Sequence, residues 1–93
     1  MLTIYSKDNC SSCESAKAFL AAKEIPFEVR NCDNDWGAFD FIAIQGFRSF
    51  PQIFKGTELF VQGGWAGLKA MQKEEIIKIL YGENADILDT ASK

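Results

Sequence analysis

The sequence contains no histidine, and its 93 residues include only three cysteines and two prolines. The lack of histidine excludes Ser–His and Cys–His nucleophilic catalysis, as well as any histidine-ligated metal site. Three cysteines are too few, and odd in number, for the disulfide framework of a small secreted domain. Cysteine chemistry in this chain is therefore more naturally intracellular redox or metal chemistry than structural crosslinking.

Long apolar segments and basic runs are also missing. No stretch approaches the roughly 18 apolar residues that a membrane-spanning helix needs, and the N-terminus lacks a charged region followed by a long apolar segment. Ten Lys and Arg against 13 Asp and Glu give a formal net charge of −3. No basic cluster is long enough to follow a phosphate backbone. We expect a cytoplasmic protein that binds neither a membrane nor nucleic acid.

Apolar content is high for so short a chain. Hydrophobic residues make up 47% of it, including eight Phe and two Trp. This content can fill the core of one small domain without crosslinks. We expect one domain over residues 1–82, and we expect the protein to be a monomer. Residues 83–93 should form a polar, acidic C-terminal tail that is loosely held or forms a marginal extra turn.

The most informative stretch is a pair of cysteines separated by two serines, Cys10-Ser11-Ser12-Cys13. It follows an apolar segment, residues 2–5, that predicts a strand, and it opens an Ala- and Leu-rich segment, residues 13–23, that predicts a helix. The unpaired N–H groups and the positive dipole at a helix start favour a thiolate, and Lys7 can add a cation. Cys10 is therefore the expected nucleophile, with a lowered pKa, and Cys13 the more buried partner that closes an internal disulfide.

A second strand and a second helix follow. Residues 27–30 alternate apolar with charged side chains, as a half-buried strand does. After a loop, apolar side chains recur at helical spacing until Gly46, which suits a helix end. These side chains are Trp36, Phe39, Ile42 and Ala43. The pattern predicts an amphipathic helix, and two successive strand–helix units predict parallel strands joined by a right-handed crossover.

The last part of the chain predicts a hairpin and a helical region. Short apolar runs at residues 52–54 and 59–61 flank a turn, and a Gly-Gly pair at residues 63–64 ends the hairpin. Residues 65–81 have a broken helical period, which fits two short helices that meet near residues 72–73.

The predicted order is β-α-β-α-β-β-α, with the cysteine pair directly after the first strand. With that arrangement, residues 1–81 resemble a glutaredoxin of the thioredoxin superfamily. The resemblance implies an α/β fold with a central four-stranded mixed sheet flanked by helices, and thiol–disulfide oxidoreductase activity in electron transport and cell redox homeostasis. It also implies that the protein binds no cofactor tightly and that glutathione can serve as its reductant.

Two segments resemble those that mark the NrdH-redoxins within this group: Gln45-Gly46-Phe47-Arg48 and Trp65-Ala66-Gly67-Leu68-Lys69. NrdH-redoxins are recharged by thioredoxin reductase and deliver electrons to ribonucleotide reductase. The resemblance therefore implies disulfide-containing proteins as partners, ribonucleotide reductase among them, and either thioredoxin reductase or glutathione as the source of electrons.

Further site residues follow from the same resemblance. The segment around Phe50 and Pro51 resembles the glutaredoxin loop in which a cis proline faces the cysteine pair, and the backbone of Phe50 would pair with an extended thiol substrate. Gly63 and Gly64 resemble the doublet at a helix start that binds the γ-glutamyl carboxylate of glutathione. Trp65 follows them. The next two residues are Ala66 and Gly67, where glutaredoxins usually carry an acidic residue that holds the glutathione amino group.

Several alternatives stay open. The cysteine pair is also half of a zinc site, for which Cys32 is the only further thiol, although redox chemistry fits its position better. Ser11 and Ser12 resemble the subset that holds a glutathione-ligated iron–sulfur cluster, or they tune only the reduction potential. Lys7 is either solvated or the cation of the family, and Trp65 either packs in the core or lines the site. Monothiol deglutathionylation and cluster transfer are therefore the alternative functions.

Overall fold

The computed structural model describes residues 1–81. Over these residues the chain forms four strands and four helices, in the order β1 (Leu2–Ser6), α1 (Ser11–Ala22), β2 (Phe27–Asn31), α2 (Trp36–Ile44), β3 (Gln52–Lys55), β4 (Glu58–Leu59), α3 (Gly64–Lys69) and α4 (Lys73–Tyr81). The break between the last two helices confirms the interruption predicted near residues 72–73. The predicted tail, residues 83–93, lies outside the described residues.

The strands form one mixed sheet in the order β2-β1-β3-β4. Strands β1 and β2 are parallel, with Leu2 opposite Phe27, whereas β3 runs antiparallel to β1 and β4 antiparallel to β3. All five residues of β1 are buried, because a central strand is covered on both faces. This sheet with its flanking helices confirms the predicted fold class.

Two hydrophobic clusters lie on opposite faces of the sheet, because successive side chains of a strand point to opposite sides. Leu2 and Ile4 of β1 pack with side chains of α1, α3 and α4. Tyr5, from the same strand, packs instead with Phe54 and with α2. Three helices therefore cover one face, and α2 covers the other.

Helix α2 differs from the predicted amphipathic helix. Only Ala38 and Ile42 are fully buried, whereas Trp36 is 80% exposed and Phe39 is 47% exposed. Ala43, which was also part of the predicted apolar pattern, is exposed. The helix is apolar on almost every side, so its composition does not indicate which side faces the sheet.

The predicted end of α2 is confirmed. Gly46 has a positive φ of 87°, its N–H donates to the carbonyl of Ala43, and the N–H of Phe47 donates to the carbonyl of Ile42. These two hydrogen bonds form a Schellman cap, for which glycine is the preferred residue. The cap turns the chain towards the loop that precedes β3.

Strand β4 is shorter than the predicted run over residues 59–61. Glu58 pairs with Lys55, and Leu59 with Phe54. The N–H of Phe60 still donates to the carbonyl of Ile53, at 2.9 Å. The chain then leaves the sheet towards α3. Among residues 1–81, no helix has the length and apolarity to cross a membrane.

Candidate active site

The two cysteines of the motif lie at the start of α1. Cys10 is the N-cap residue, with extended backbone angles (φ −118°, ψ 101°), and its sulphur accepts a hydrogen bond from the N–H of Cys13 at 3.2 Å. The two residues form a disulfide, with their Cα atoms 5.2 Å apart. Cys13 is fully buried, whereas Cys10 is only partly buried. Only Cys10 therefore offers its sulphur to a substrate from outside.

The local fold of α1 creates this arrangement. An N-cap side chain normally accepts a hydrogen bond from the second or third backbone N–H of its helix. Here a sulphur takes that position, which in the reduced state places a thiolate beside unpaired N–H groups and the positive end of the helix dipole. Ser11 is exposed and Ser12 is partly buried in the first turn between the two cysteines.

The loop before Cys10 is held by the loop after β2, through residues that the sequence did not single out. The Asp8 N–H donates to Asp33 at 2.7 Å, and the Asn31 side chain donates to Asp8 at 2.8 Å. The Cys32 N–H extends the β1–β2 pairing by donating to the Ser6 carbonyl at 2.8 Å. These bonds fix the approach of the chain to Cys10. They join residues more than 20 positions apart, so no local sequence pattern announces them.

Lys7 is exposed and extends towards the loop that contains Pro51. Its ammonium nitrogen lies 5.9 Å from the centroid of the Phe50 ring, within the range of a cation–π contact. The predicted cation is therefore beside Phe50, on the rim of the site. Its effect on the Cys10 thiolate stays a prediction.

The Phe50–Pro51 peptide bond is cis, as the resemblance implies, and Pro51 is buried. Gly64 packs directly against it. A Cβ atom on Gly64 would lie 2.5 Å from the carbonyl oxygen of Pro51, and Gly64 also has a positive φ of 57°. Both the conformation and the contact therefore require glycine, and they join the predicted Gly63-Gly64 segment to the proline loop.

Trp65 packs against the core. Its ring meets the ring of Phe19 edge to face, with centroids 5.5 Å apart, and so fastens α3 to α1. Two residues later, a Cβ atom on Gly67 would collide with the carbonyl oxygen of Gln62. Packing alone thus accounts for the glycine at position 67, where the sequence departs from the usual glutaredoxin pattern. A role for Gly63, Gly64 and Trp65 in binding glutathione stays a prediction.

Cys32 is the one free cysteine among residues 1–81, and it is buried in the cluster beneath α2. Burial raises the pKa of its thiol, and the nearby Asp35 carboxylate raises it further. Its thiol is therefore poorly suited to nucleophilic attack. No group of three or more Cys, Asp or Glu side chains in the described part of the chain is arranged to hold a metal ion.

Fold and site together define a class of protein. A cysteine pair at the start of the helix that follows the first strand, in a chain whose third strand is preceded by a cis proline, is the dithiol site of a thioredoxin-fold protein. The sequence matches the family model for glutaredoxin over residues 2–60. The chain therefore belongs to the glutaredoxin family, and it is a thiol–disulfide oxidoreductase.

Relatives within the family are redoxins of the NrdH type. Over 60 residues the chain is 38% identical to the glutaredoxin-like protein NrdH of Lactococcus lactis. The matched stretch covers 64% of this chain and 83% of the Lactococcus protein. The glutaredoxin-like protein NrdH of Salmonella typhimurium is 34% identical over 68 residues. This match covers 73% of this chain and 78% of the Salmonella protein. The structure of NrdH-redoxin from Escherichia coli gives a TM-score of 0.59 at 26% identity, covering 83% of this chain and 91% of that chain.

Proposed function

We propose that this chain reduces disulfides of partner proteins by a two-cysteine exchange and supplies electrons to ribonucleotide reductase. The observation that supports the exchange is the difference in exposure within the Cys10–Cys13 disulfide, since a buried second sulphur is suited to resolving a mixed disulfide rather than to starting one. The likeness to NrdH-redoxins supports the choice of ribonucleotide reductase.

In the first step the Cys10 thiolate attacks one sulphur of the target disulfide. The target S–S bond breaks, and the other target sulphur leaves as a thiolate that takes up a proton. Cys13 then loses its proton and attacks the Cys10 sulphur, which breaks the mixed disulfide and releases the second target thiolate. The target gains two electrons, and the chain is left with the Cys10–Cys13 disulfide.

Three features around the cysteine pair support this chemistry. The N–H of Cys13 is within hydrogen-bonding distance of the Cys10 sulphur and stabilises negative charge there. Lys7 adds positive charge at the rim of the site. The loop of Phe50 and Pro51 presents backbone that an extended substrate can pair with, as a strand pairs with the edge of a sheet.

The source of electrons distinguishes two versions of this function. The Escherichia coli NrdH-redoxin is described as having a thioredoxin-like activity profile, which favours recycling by thioredoxin reductase. Glutathione is the alternative reductant, bound at Gly63 and Gly64. The lack of an acidic residue at positions 66 and 67 supports the first version, because glutaredoxins usually hold the glutathione amino group with such a residue.

NADPH consumption with a small disulfide substrate tests the proposal. One reaction contains thioredoxin reductase alone, and a parallel reaction contains glutathione and glutathione reductase. We expect turnover with thioredoxin reductase, followed by deoxyribonucleotide formation when ribonucleotide reductase is added. Turnover with glutathione alone would contradict the NrdH-like version. In either case, turnover must be lost in Cys10→Ser and retained in Cys32→Ser, the same substitution at the free cysteine.

A further inference from the structure

Strand β2 forms an edge of the sheet, with β1 as its one neighbour among residues 1–81. Val29, in the middle of β2, is 40% exposed, whereas its partner Ile4 on β1 is fully buried. The opposite edge, β4, has only two residues. An edge strand carries backbone N–H and C=O groups that can pair with the edge of another chain. Strand β2 is therefore the longer of the two edges at which such pairing can occur.

The direction of the unpaired backbone groups on β2 follows from one hydrogen bond. The N–H of Cys32 donates to the carbonyl of Ser6 on β1, at 2.8 Å. In a parallel pair, successive residues direct their backbone groups alternately towards the neighbouring strand and away from it. Glu28 and Arg30 therefore also face β1. The remaining residues of the strand direct their N–H and C=O groups outward, and these are Phe27, Val29 and Asn31.

A second copy of this chain fits the β2 edge in one register. Two identical strands related by a two-fold axis are antiparallel, and an axis at Val29 pairs the full length of the strand. Glu28 of each copy then lies opposite Arg30 of the other, and these side chains share one face because they are two residues apart. An axis at Glu28 or at Arg30 would instead place like charges opposite each other, and an axis at either end would pair fewer residues.

The side chains of β2 suit this register. Glu28 is exposed, accepts a hydrogen bond from Thr3 at one carboxylate oxygen, and forms no ion pair within residues 1–81. The Arg30 guanidinium donates to Asp35 through Nε and Nη2. A guanidinium carries five N–H groups, so further donors remain for a second carboxylate. At the axis, Val29 would meet Val29 of the second copy and cover apolar surface that is exposed in the single chain.

We propose that β2 pairs with β2 of a second copy, antiparallel and centred on Val29, so that a dimer with one continuous sheet forms. Five residues from each chain make a small interface, so the dimer is weak and depends on concentration. Because β1 and β2 are parallel, antiparallel pairing of the two β2 strands places the two Cys10 residues at opposite ends of the joined sheet. Each active site stays open, so this inference does not depend on the proposed function. It replaces the monomer that the sequence alone predicts.

Sedimentation equilibrium measures the association, with dithiothreitol present so that no disulfide joins two chains. We expect the average mass to rise from that of one chain towards that of two between about 10 µM and about 1 mM. Glu28→Lys places a cation opposite Arg30 and should remain a single chain over this range. Glu58→Lys is the matched control on the edge strand β4, and it should associate like the parent. A parent that stays a single chain throughout, or an equal loss of association in Glu58→Lys, would overturn the inference.

An exchange of charges tests the register. The Glu28→Lys chain carries two cations on β2, and the Arg30→Glu chain carries two carboxylates. Neither should pair with itself, whereas an equimolar mixture should form a dimer with one chain of each kind. Both variants should reduce a small disulfide at the parent rate, which verifies that they are folded. Failure of the two folded variants to associate with each other would overturn the register.

Hydrogen exchange of single amides, followed by NMR, tests the register without any substitution, and it decides the matter if Arg30→Glu does not fold. The outward N–H groups of Phe27, Val29 and Asn31 should exchange more slowly at the higher concentration. Those of Glu28 and Arg30, which are bonded to β1, should change little. Protection on β2 that is independent of concentration would overturn the inference. A change confined to α2 would also overturn it, and would assign the contact between copies to that helix.

Discussion

At the scale of single residues, Gly64 gives the sharpest test of how the site is built. A Cβ atom there meets the Pro51 carbonyl oxygen, whereas Gly56 has a similar positive φ of 63° and nothing within 4 Å. We expect Gly56→Ala to lower the free energy of unfolding by about 1 kcal/mol, from the left-handed conformation alone. Gly64→Ala adds a steric clash and should cost about 3 kcal/mol.

Urea unfolding of the two glycine variants measures this difference. Gly64→Ala should also slow the reduction of a small disulfide, because the clash displaces the loop of Pro51, whereas Gly56→Ala should retain the rate. Equal losses of stability in the two variants would show that the contact between Gly64 and Pro51 contributes nothing.

Cys32 should be chemically silent in the folded protein. Its thiol is buried, and burial raises its pKa, so little thiolate is present near neutral pH. In a chain that carries both Cys10→Ser and Cys13→Ser, we expect iodoacetamide to label Cys32 at least about 100-fold more slowly than in denaturant. The rate should rise as the pH rises towards the raised pKa. Labelling at the denatured rate at pH 7 would contradict the burial of this thiol.

The sequence predicted the central residues of the site but not their supports. Cys10 and Cys13 could be placed because a two-residue spacing at a strand–helix junction is a local pattern. The cis Pro51 came from the family resemblance. The hydrogen bonds among Asp8, Asn31 and Asp33 could not be predicted, because they depend on two loops that meet only when β1 and β2 pair.

At the scale of elements, the start of α2 depends on Asp35. Its carboxylate accepts the N–H of Ala38 at 3.1 Å and pairs with Arg30, and these contacts, Arg30 foremost, hold the pKa of Asp35 below its ordinary value of 3.8. A carboxyl group with a lowered pKa stabilises the fold above its ordinary pKa, and this stabilisation is lost as the pH falls through the lowered value.

Asp35→Ala should therefore unfold at a lower urea concentration than the parent chain at pH 7, and the difference should shrink as the pH falls below the ordinary pKa of 3.8 and through the lowered value. Asp35→Asn is the matched control, since an asparagine still caps the helix but carries no charge to form an ion pair with Arg30. We expect it to lie between the other two chains at pH 7. A difference between Asp35→Ala and the parent that stays constant with pH would contradict the role of the charge.

Helix α2 also shows where prediction from the pattern fails. Its C-terminal end was predicted well, because Gly46 is a local signal for the end of a helix. Its buried side was predicted wrongly for Trp36, Phe39 and Ala43, because a helix with one charged residue offers little contrast between its sides. Contact with the sheet is made by Ala38, Ile42 and Phe41, and the Phe41 ring packs on the rings of Tyr5 and Phe54, with centroids 5.3 and 5.0 Å apart.

At the scale of the whole molecule, the two faces of the sheet are covered by different helices. Helices α1, α3 and α4 pack on one face of the sheet, and their cluster holds the start of α1 and the glycine loop in place. Helix α2, alone on the other face, exposes its aromatic side chains next to the proline loop. The order of elements was predictable because each strand and helix has its own periodicity. The division of the helices between faces was not, since it depends on the crossovers.

The central claim is that Cys10 attacks and Cys13 resolves, and a trapped intermediate tests it most directly. The Cys13→Ser chain is mixed with a protein disulfide such as that of insulin, the products are separated without reductant, and their masses are measured. We predict a one-to-one mixed disulfide at Cys10 that dithiothreitol releases, with no such product for Cys10→Ser. A mixed disulfide at Cys13 in the Cys10→Ser chain, or full reduction of the protein disulfide by Cys13→Ser, would contradict the claim.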